Sequence, residues 1–125
     1  MKKYELTSET KIVARVTLHR IRALKSFGDV KAGDIGGWIE KESNLSHDGN
    51  CWVYDDAKVY DDAKVYNDAK VSGNAWVYDD AKVCDDTKVY GNANVYGDAK
   101  VYDDAEVAGD AWVFGNVSGK DKVFE

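Results

Sequence analysis

A valine recurs at every sixth position through the middle and late parts of this 125-residue chain. Two positions before each valine stands a small residue, which is alanine in most units and Cys51 or Thr87 in two of them. The regularly spaced valines are Val53, Val59, Val65, Val71, Val77, Val83, Val89, Val95, Val101, Val107 and Val113. A fixed short period is typical of repeat architectures, in which each unit buries its apolar face only by stacking on its neighbours.

The repeating unit reads as a short strand followed by a corner. In residues 57–62, Ala-Lys-Val-Tyr-Asp-Asp, alanine and valine point to one side while lysine and tyrosine point to the other. The turn pairs are Asp-Asp, Asn-Asp, Gly-Asn or Gly-Asp, which tolerate left-handed backbone angles. Hairpins at every corner would give a flat meander with only small side chains to bury, so we expect corners of one sense that close the chain into a coil.

An aliphatic residue followed four positions later by a small one, as in Val59 and Ala63, resembles the motif of the hexapeptide-repeat superfamily. The resemblance implies an all-β fold: a left-handed parallel β-helix, triangular in section, with three hexads or 18 residues in each coil. The predicted β-helix covers residues 39–125. Its valine column continues backwards to Leu45 and Ile39 and forwards to Val117 and Val123. A period of six excludes the pentapeptide-repeat helix.

Residues 1–38 do not follow the hexad and are predicted to form a small β-rich N-terminal cap. Two short strands are expected at residues 11–16 and 18–24, followed by turns between Gly28 and Gly37. A cap would cover the unpaired backbone of the first coil. The residues expected to do so are Leu18, Ile21, Leu24, Phe27 and Trp38. Residues 27–38 and the repeats after them also resemble a group of small bacterial and phage hypothetical proteins, some labelled polymer-forming.

Aromatic residues recur on the predicted outer surface at the spacing of one coil. Side chains one coil apart are expected to stack at about 4.8 Å. Tyr60, Tyr78, Tyr96 and Phe114 would form an outward ladder, with Trp76 and Trp112 beside it. Such stacking either stiffens a thin rod or marks an interface, because contiguous exposed aromatic strips are unusual on monomers. The resemblance implies trimers packed side by side, so we expect a homotrimer.

The corners are expected to carry columns of carboxylates, one of which is Asp62, Asp80 and Asp98. Three interpretations are possible: soluble turn residues, a cation site, or mimicry of the phosphates of a nucleic acid. The first is favoured, because the calcium-binding nonapeptide pattern is absent and six lysines are interleaved with the acidic residues. No metal is predicted. Residues 51–118 hold six Lys/Arg against fourteen Asp/Glu, so the repeat region is not expected to bind nucleic acid directly.

All three arginines, Arg15, Arg20 and Arg22, lie in the N-terminal segment. They are the candidate residues for a small anionic ligand such as a nucleotide, held between subunits near the cap. This binding role is an alternative to an interaction surface on the rod.

Catalytic residues are sparse. The resemblance implies that acyltransferases of this fold use a histidine near a cleft between subunits, and that carbonic anhydrases of this fold need three histidines. This chain has only His19 and His47, both interpreted as structural, and no loop interrupts residues 51–113. Cys84 replaces an outward tyrosine and is expected to be accessible, without a neighbouring base. No catalytic residue and no cofactor is predicted, the chain is expected not to be an enzyme, and an acyltransferase is the outsider.

The composition predicts one soluble, cytoplasmic domain. The first residues carry no signal peptide, no apolar run approaches the length of a membrane span, and two unpaired cysteines suit a reducing compartment. We therefore expect a non-catalytic interaction protein, phage-encoded, that presents its aromatic and acidic columns to an unidentified host protein. An inhibitor of a host defence nuclease, of the anti-CRISPR kind, is the specific hypothesis.

Overall fold

The computed structural model describes residues 2–124 and shows an almost entirely β structure. Three longer strands open the chain: β1 (Tyr4–Val13), β2 (Val16–Ala23) and β3 (Ile35–Ile39). Thirteen two-residue strands follow, each formed by a valine of one hexad and the residue before it. They are β4 (Trp52–Val53), β5 (Lys58–Val59), β6 (Lys64–Val65), β7 (Lys70–Val71), β8 (Trp76–Val77), β9 (Lys82–Val83), β10 (Lys88–Val89), β11 (Asn94–Val95), β12 (Lys100–Val101), β13 (Glu106–Val107), β14 (Trp112–Val113), β15 (Asn116–Val117) and β16 (Lys122–Val123).

The short strands stack into the three faces of a prism. One face has the order β5-β8-β11-β14, the second β4-β7-β10-β13-β16 and the third β6-β9-β12-β15, all with parallel pairing. Equivalent residues of neighbouring coils, such as Val59 and Val77, lie directly opposite each other, 18 positions apart along the chain. The prediction of a triangular left-handed β-helix with 18-residue coils is confirmed.

The last coil departs from the period. Val113 and Val117 are four positions apart, so Val101 pairs with Val117 across 16 residues and Val107 pairs with Val123 in the same way. Val117 and Val123 therefore continue the valine column as expected, but at 16 residues from their partners in the preceding coil instead of 18. The corner at the exposed Gly115 has two residues fewer than the other corners. The strands that follow it still pair with the preceding coil.

The interior is the column of small residues and valines. From Cys51 to Ala111 every such side chain is fully buried, including Thr87, whose hydroxyl donates to the Cys84 carbonyl at 2.9 Å. Each corner from Asp55 to Gly109 places its first residue in the left-handed backbone region, as at Asp61 (φ 57°) and Gly91 (φ 70°). Aspartate, asparagine and glycine adopt this conformation at lower cost than other residues, which explains why the turn pairs are drawn from them.

The N-terminal segment extends one face of the prism. Strand β1 pairs antiparallel with β2, β2 pairs antiparallel with β3, and β3 pairs parallel with β5. The resulting sheet has the order β1-β2-β3-β5-β8-β11-β14, and we call this side of the prism the hairpin face. The predicted cap strands were too short at the start, because β1 begins at Tyr4 rather than near residue 11. Strand β3 runs across residue 38, and the division of the chain there stays a prediction.

The open end of the first coil is closed by buried side chains. Tyr4 donates its hydroxyl to the Leu45 carbonyl at 2.6 Å and packs edge-on against Trp52. The Lys3 ammonium, also buried, donates to the Cys51 carbonyl at 2.8 Å. Leu18, Ile21 and Trp38 of the predicted cap are buried and Phe27 is half-buried, whereas Leu24 is exposed. Lys3 and Tyr4, which the sequence did not single out, make these closing contacts.

Helical structure in the described part of the chain is a single 3₁₀ turn, Glu42–Asn44. The buried Asn44 side chain accepts from the Glu40 and Lys41 N–H groups and donates to the Asp61 and Ala63 carbonyls at 3.1 and 2.9 Å. Asn44 therefore ties the first coil to the second. Within residues 2–124 no helix has the length and apolarity needed to cross a bilayer.

Candidate functional site

The aromatic ladder lies on the outer side of the hairpin face. The rings of Tyr60, Tyr78 and Tyr96 stack nearly parallel, with centroids 5.2 and 5.5 Å apart, and Phe114 follows Tyr96 at 6.0 Å. Trp76 packs edge-on against Tyr60 at 6.1 Å, and Trp112 against Tyr96 at 5.9 Å. The structure thus brings all six predicted aromatic residues together in one continuous strip, which we call the aromatic ladder.

The ladder is not uniformly exposed, and this corrects one expectation. Tyr60, predicted to face solvent, is only 3% exposed because it packs with Leu18 and Trp38 in a second apolar cluster beneath the hairpin. Burial raises the pKa of the Tyr60 hydroxyl well above its ordinary value of 10.0. Exposure increases towards the other end, where Trp112 is 62% and Phe114 68% exposed.

Positive side chains lie near the Tyr60 end of the ladder, next to the hairpin. Lys11 Nζ lies 4.2 Å from the centre of the Trp38 ring, and the Arg20 guanidinium lies 4.9 Å from the same ring. Lys58, directly opposite Trp38 on the next strand, places its ammonium 5.5 Å from the Trp76 ring. We call Lys11, Arg20, Lys58 and Trp38 the cation cluster. Sequence reasoning missed Lys11, because its position depends on the register of the β1–β2 hairpin.

The three predicted anion-binding arginines have separate surroundings. Arg15 is exposed in the turn between β1 and β2, with a φ of 67°. Arg20 bonds to Asp56 at 3.3 Å, and Arg22 forms an ion pair with Glu5. Of the three, Arg20 belongs to the cation cluster. The predicted anion site of Arg15, Arg20 and Arg22 between subunits stays a prediction.

The two acidic positions of a corner have different roles. The first residue bonds to the next coil: Asp61 accepts the Asp79 N–H at 3.3 Å, and Asp79 accepts the Gly97 N–H at 3.0 Å. The second residues, Asp62, Asp80 and Asp98, are exposed and line an open groove. Lys41 reaches Asp62 at 3.2 Å. In the described residues, no group of three or more His, Cys, Asp or Glu side chains is arranged to hold a metal ion.

His47 lies at the first coil, near the cap. Its Nδ1 accepts the Lys3 N–H at 3.0 Å, so its Nε2 carries the proton and donates to Glu42 at 2.8 Å. The ring stacks on Tyr4 with centroids 4.2 Å apart. The hydrogen bond from His47 is the largest cause that lowers the pKa of Glu42. The other histidine, His19, lies 3.4 Å from the Thr7 carbonyl through Nδ1.

The thiols are free but covered. Cys84, expected to be accessible, is only 9% exposed, and burial raises the pKa of its thiol. The expectation failed because Cys84 packs beside the larger side chain of Tyr66, whose hydrogen bond to the sulfur opposes part of that shift. Cys51 is fully buried in the coil, 3.4 Å from Lys3 Nζ.

Comparison with known proteins gives one informative similarity. No family model matches the sequence. The chain is 41% identical over 63 residues to the uncharacterized acetyltransferase YdcK of Escherichia coli strain K12. This match covers 44% of the present chain and 19% of the relative, so the chain spans about a fifth of the length of that protein.

The similarity contradicts the expectation that the chain is not an enzyme, because the relative is named an acetyltransferase. That expectation rested on the small number of histidines and on the lack of a loop in residues 51–113. A histidine count is a weak argument, because other side chains can move protons. The hexad repeat, the 18-residue coil of parallel strands and this relative together fit a hexapeptide-repeat left-handed β-helix.

Proposed function

We propose that the protein is an interaction protein that assembles side by side with further copies of itself, as a homotrimer, through the exposed end of the aromatic ladder. The observation that carries this proposal is the exposure of Trp112 and Phe114 next to each other on one face, at 62% and 68%. Large contiguous apolar surfaces of this kind mark interfaces more often than they occur on free monomers.

The packing of the ladder supports the same proposal. Tyr78 and Tyr96 are stacked between neighbouring rings, so their side-chain conformations are fixed before any partner binds. Prior ordering lowers the entropy cost of association. The exposed carboxylates at the neighbouring corner, such as Asp80 and Asp98, would form a polar rim around this apolar strip.

The test is the mass of the particle in solution, measured by light scattering at micromolar concentration. We expect three times the mass of one chain for the natural sequence and a single-chain mass for the double variant Trp112→Ser, Phe114→Ser. The matched control is Ile12→Ser, which removes another strongly exposed apolar residue from the hairpin. A single-chain mass for the natural sequence at this concentration refutes the proposal.

The part of the ladder around Tyr78, with the neighbouring Asp80, is our proposed site for a macromolecular partner. A phage-encoded inhibitor of a host defence nuclease stays a prediction, and it requires a host protein that the tagged chain recovers in equal amount. Tyr78→Ala and Asp80→Lys should both reduce that recovery, with Lys64→Gln on another face as the control. Unchanged recovery with both substitutions would reject this surface.

A cytoplasmic location agrees with the free thiols of Cys51 and Cys84.

Acetyl transfer is the second candidate function, and the name of the relative supports it. His47 is the histidine with a carboxylate partner, Glu42, although Nδ1 is also occupied by the Lys3 N–H. A thermal shift assay with acetyl coenzyme A tests this candidate directly. Binding should raise the unfolding temperature, and coenzyme A without its acetyl group is the control. The absence of any shift at millimolar concentration would count against acetyl transfer.

A further inference from the structure

The cation cluster contains more positive charge than the surrounding residues neutralise. Arg20 has one carboxylate partner, Asp56, and Lys58 bonds to the backbone carbonyl of that same residue at 2.9 Å. Lys11 has no carboxylate within ion-pair distance in residues 2–124. The three cations therefore have a single carboxylate partner among them, that of Arg20, on a chain whose formal net charge is −6.

The three cations are held in place rather than dispersed in solvent. Each is partly buried, and two of them lie against the Trp38 ring. Burial, and after it the charge of Lys11, lowers the pKa of Lys58. Like charges at this proximity repel one another, so the cluster is under an electrostatic strain that an anion would relieve.

Trp38, the ring on which two of these cations lie, also carries an unsatisfied donor. Trp38 is nearly fully buried, and its indole Nε1–H has no hydrogen-bond acceptor within the described residues. A buried donor without a partner costs free energy, and most such groups in folded proteins are satisfied. The half-buried Lys11 side chain lies over the ring of the same tryptophan.

We propose that Lys11, Arg20, Lys58 and the Trp38 indole form a binding site for a small oxyanion, a phosphate or carboxylate group. Arg20 and the two lysines supply charge-assisted hydrogen bonds, and the indole N–H supplies a neutral one. The acidic corners that flank the face repel a long polyanion, which favours a small ligand over a nucleic acid. The site is independent of the assembly proposed above, since it uses the opposite end of the ladder.

The experiment is a titration of the ¹⁵N-labelled protein with inorganic phosphate and, separately, with acetate, followed by the indole N–H resonances in NMR spectra. The chain has four tryptophans, which serve as internal references. We expect the Trp38 resonance to shift and saturate while the Trp112 resonance stays in place. Binding of either anion supports the site, and the tighter of the two identifies the group that it recognises.

Substitutions separate a built site from general surface charge. Arg20→Gln and Lys58→Gln should each weaken binding by about tenfold or more, because each removes a charge-assisted hydrogen bond. Arg22→Gln, on the same strand but paired with Glu5, and Lys64→Gln, on another face, should leave binding unchanged. The dispersion of the amide resonances reports folding, and Lys58→Gln carries the test if Arg20→Gln disturbs the hairpin.

Three results would overturn the proposal. The first is a Trp38 resonance that neither anion moves. The second is an equal loss of affinity in Arg22→Gln and Arg20→Gln, which would mean unspecific attraction to the hairpin. The third is tighter binding of a single-stranded oligonucleotide than of phosphate, which would replace a small-anion site with a nucleic-acid surface. The particle mass measured for the assembly does not enter any of these outcomes.

Discussion

The repeat region and the N-terminal hairpin are held together in different ways. In the repeat region each side chain meets its own equivalent one coil away, as Val77 meets Val59 and Val95. In the hairpin the partners are unlike and distant in sequence, as with Lys11 above Trp38 and Leu18 against Tyr60. The repeat sets the shape of the molecule, whereas the hairpin determines which part of its aromatic surface is free.

The largest effect is expected in the interior of the repeat region. Val77→Asp places a carboxylate among fully buried valines and alanines, with no partner to compensate for its lost hydration. We expect a loss of about 4 kcal/mol or more in the free energy of unfolding, measured by urea denaturation. Lys64→Asp, an exposed position on the outside, should change stability by less than about 0.5 kcal/mol. Equal losses would contradict the inside and outside assignment.

A smaller loss is expected where the hairpin contacts the ladder. Leu18→Ala removes a fully buried side chain from the cluster with Trp38 and Tyr60. The expected cost is about 2 to 4 kcal/mol, since truncating a buried leucine leaves a cavity. Ile12→Ala, on the same hairpin but exposed, is the control. A negligible effect of Leu18→Ala would show that the hairpin is not seated on the ladder in solution.

The inner columns could be predicted from the sequence because every hexad repeats the same pattern of a small residue, a valine and a turn pair. The valines, the small residues and the Asp, Asn and Gly corners all lie where the period places them. The burial of Tyr60 could not be predicted, since it depends on the register of β1 and β2, which shifts between Leu6 and Thr10. The shortened corner between Val113 and Val117 was visible in the spacing, but whether the coil would absorb it required the backbone.

The corners provide a third test of the comparison. Gly91 has a φ of 70°, and a Cβ there would lie 2.9 Å from the backbone nitrogen of Gly109 in the next coil. Gly91→Ala should cost about 1 to 2 kcal/mol because alanine is strained in the left-handed region. The close contact with Gly109 adds to that cost. Gly115→Ala, in the shortened corner with no atom within 4 Å of its Cβ, is the matched control. Urea denaturation of both variants measures the difference.

The smallest effect concerns the dependence of stability on pH. The pKa of Tyr60 is raised in the folded protein above the ordinary value of 10.0, chiefly by burial. The stability that this shift contributes is fully present below pH 10 and is lost as the pH rises further, because only the unfolded tyrosine ionises there. Tyr60→Phe should lose less stability above pH 10, by up to about 1.4 kcal/mol for each pH unit.

Parallel slopes for Tyr60→Phe and the natural sequence between pH 10 and 11 would contradict the buried environment of Tyr60. The slope is measured as the change in the free energy of unfolding with pH, from urea curves at several pH values. The comparison at pH 7 gives the packing contribution of the hydroxyl separately, since neither form ionises there.

The direction of the hydrogen bonds between coils has a mechanical consequence. Each coil is bonded to the coil before it and the coil after it, 18 residues away in the sequence except at the shortened last corner, so these bonds run along the axis of the rod. Force applied to the final coil would strip the rod one turn at a time, and each turn would release roughly 60 Å of extended chain. The antiparallel hairpin at the other end should resist unfolding under this force until the last turn of the rod has unfolded.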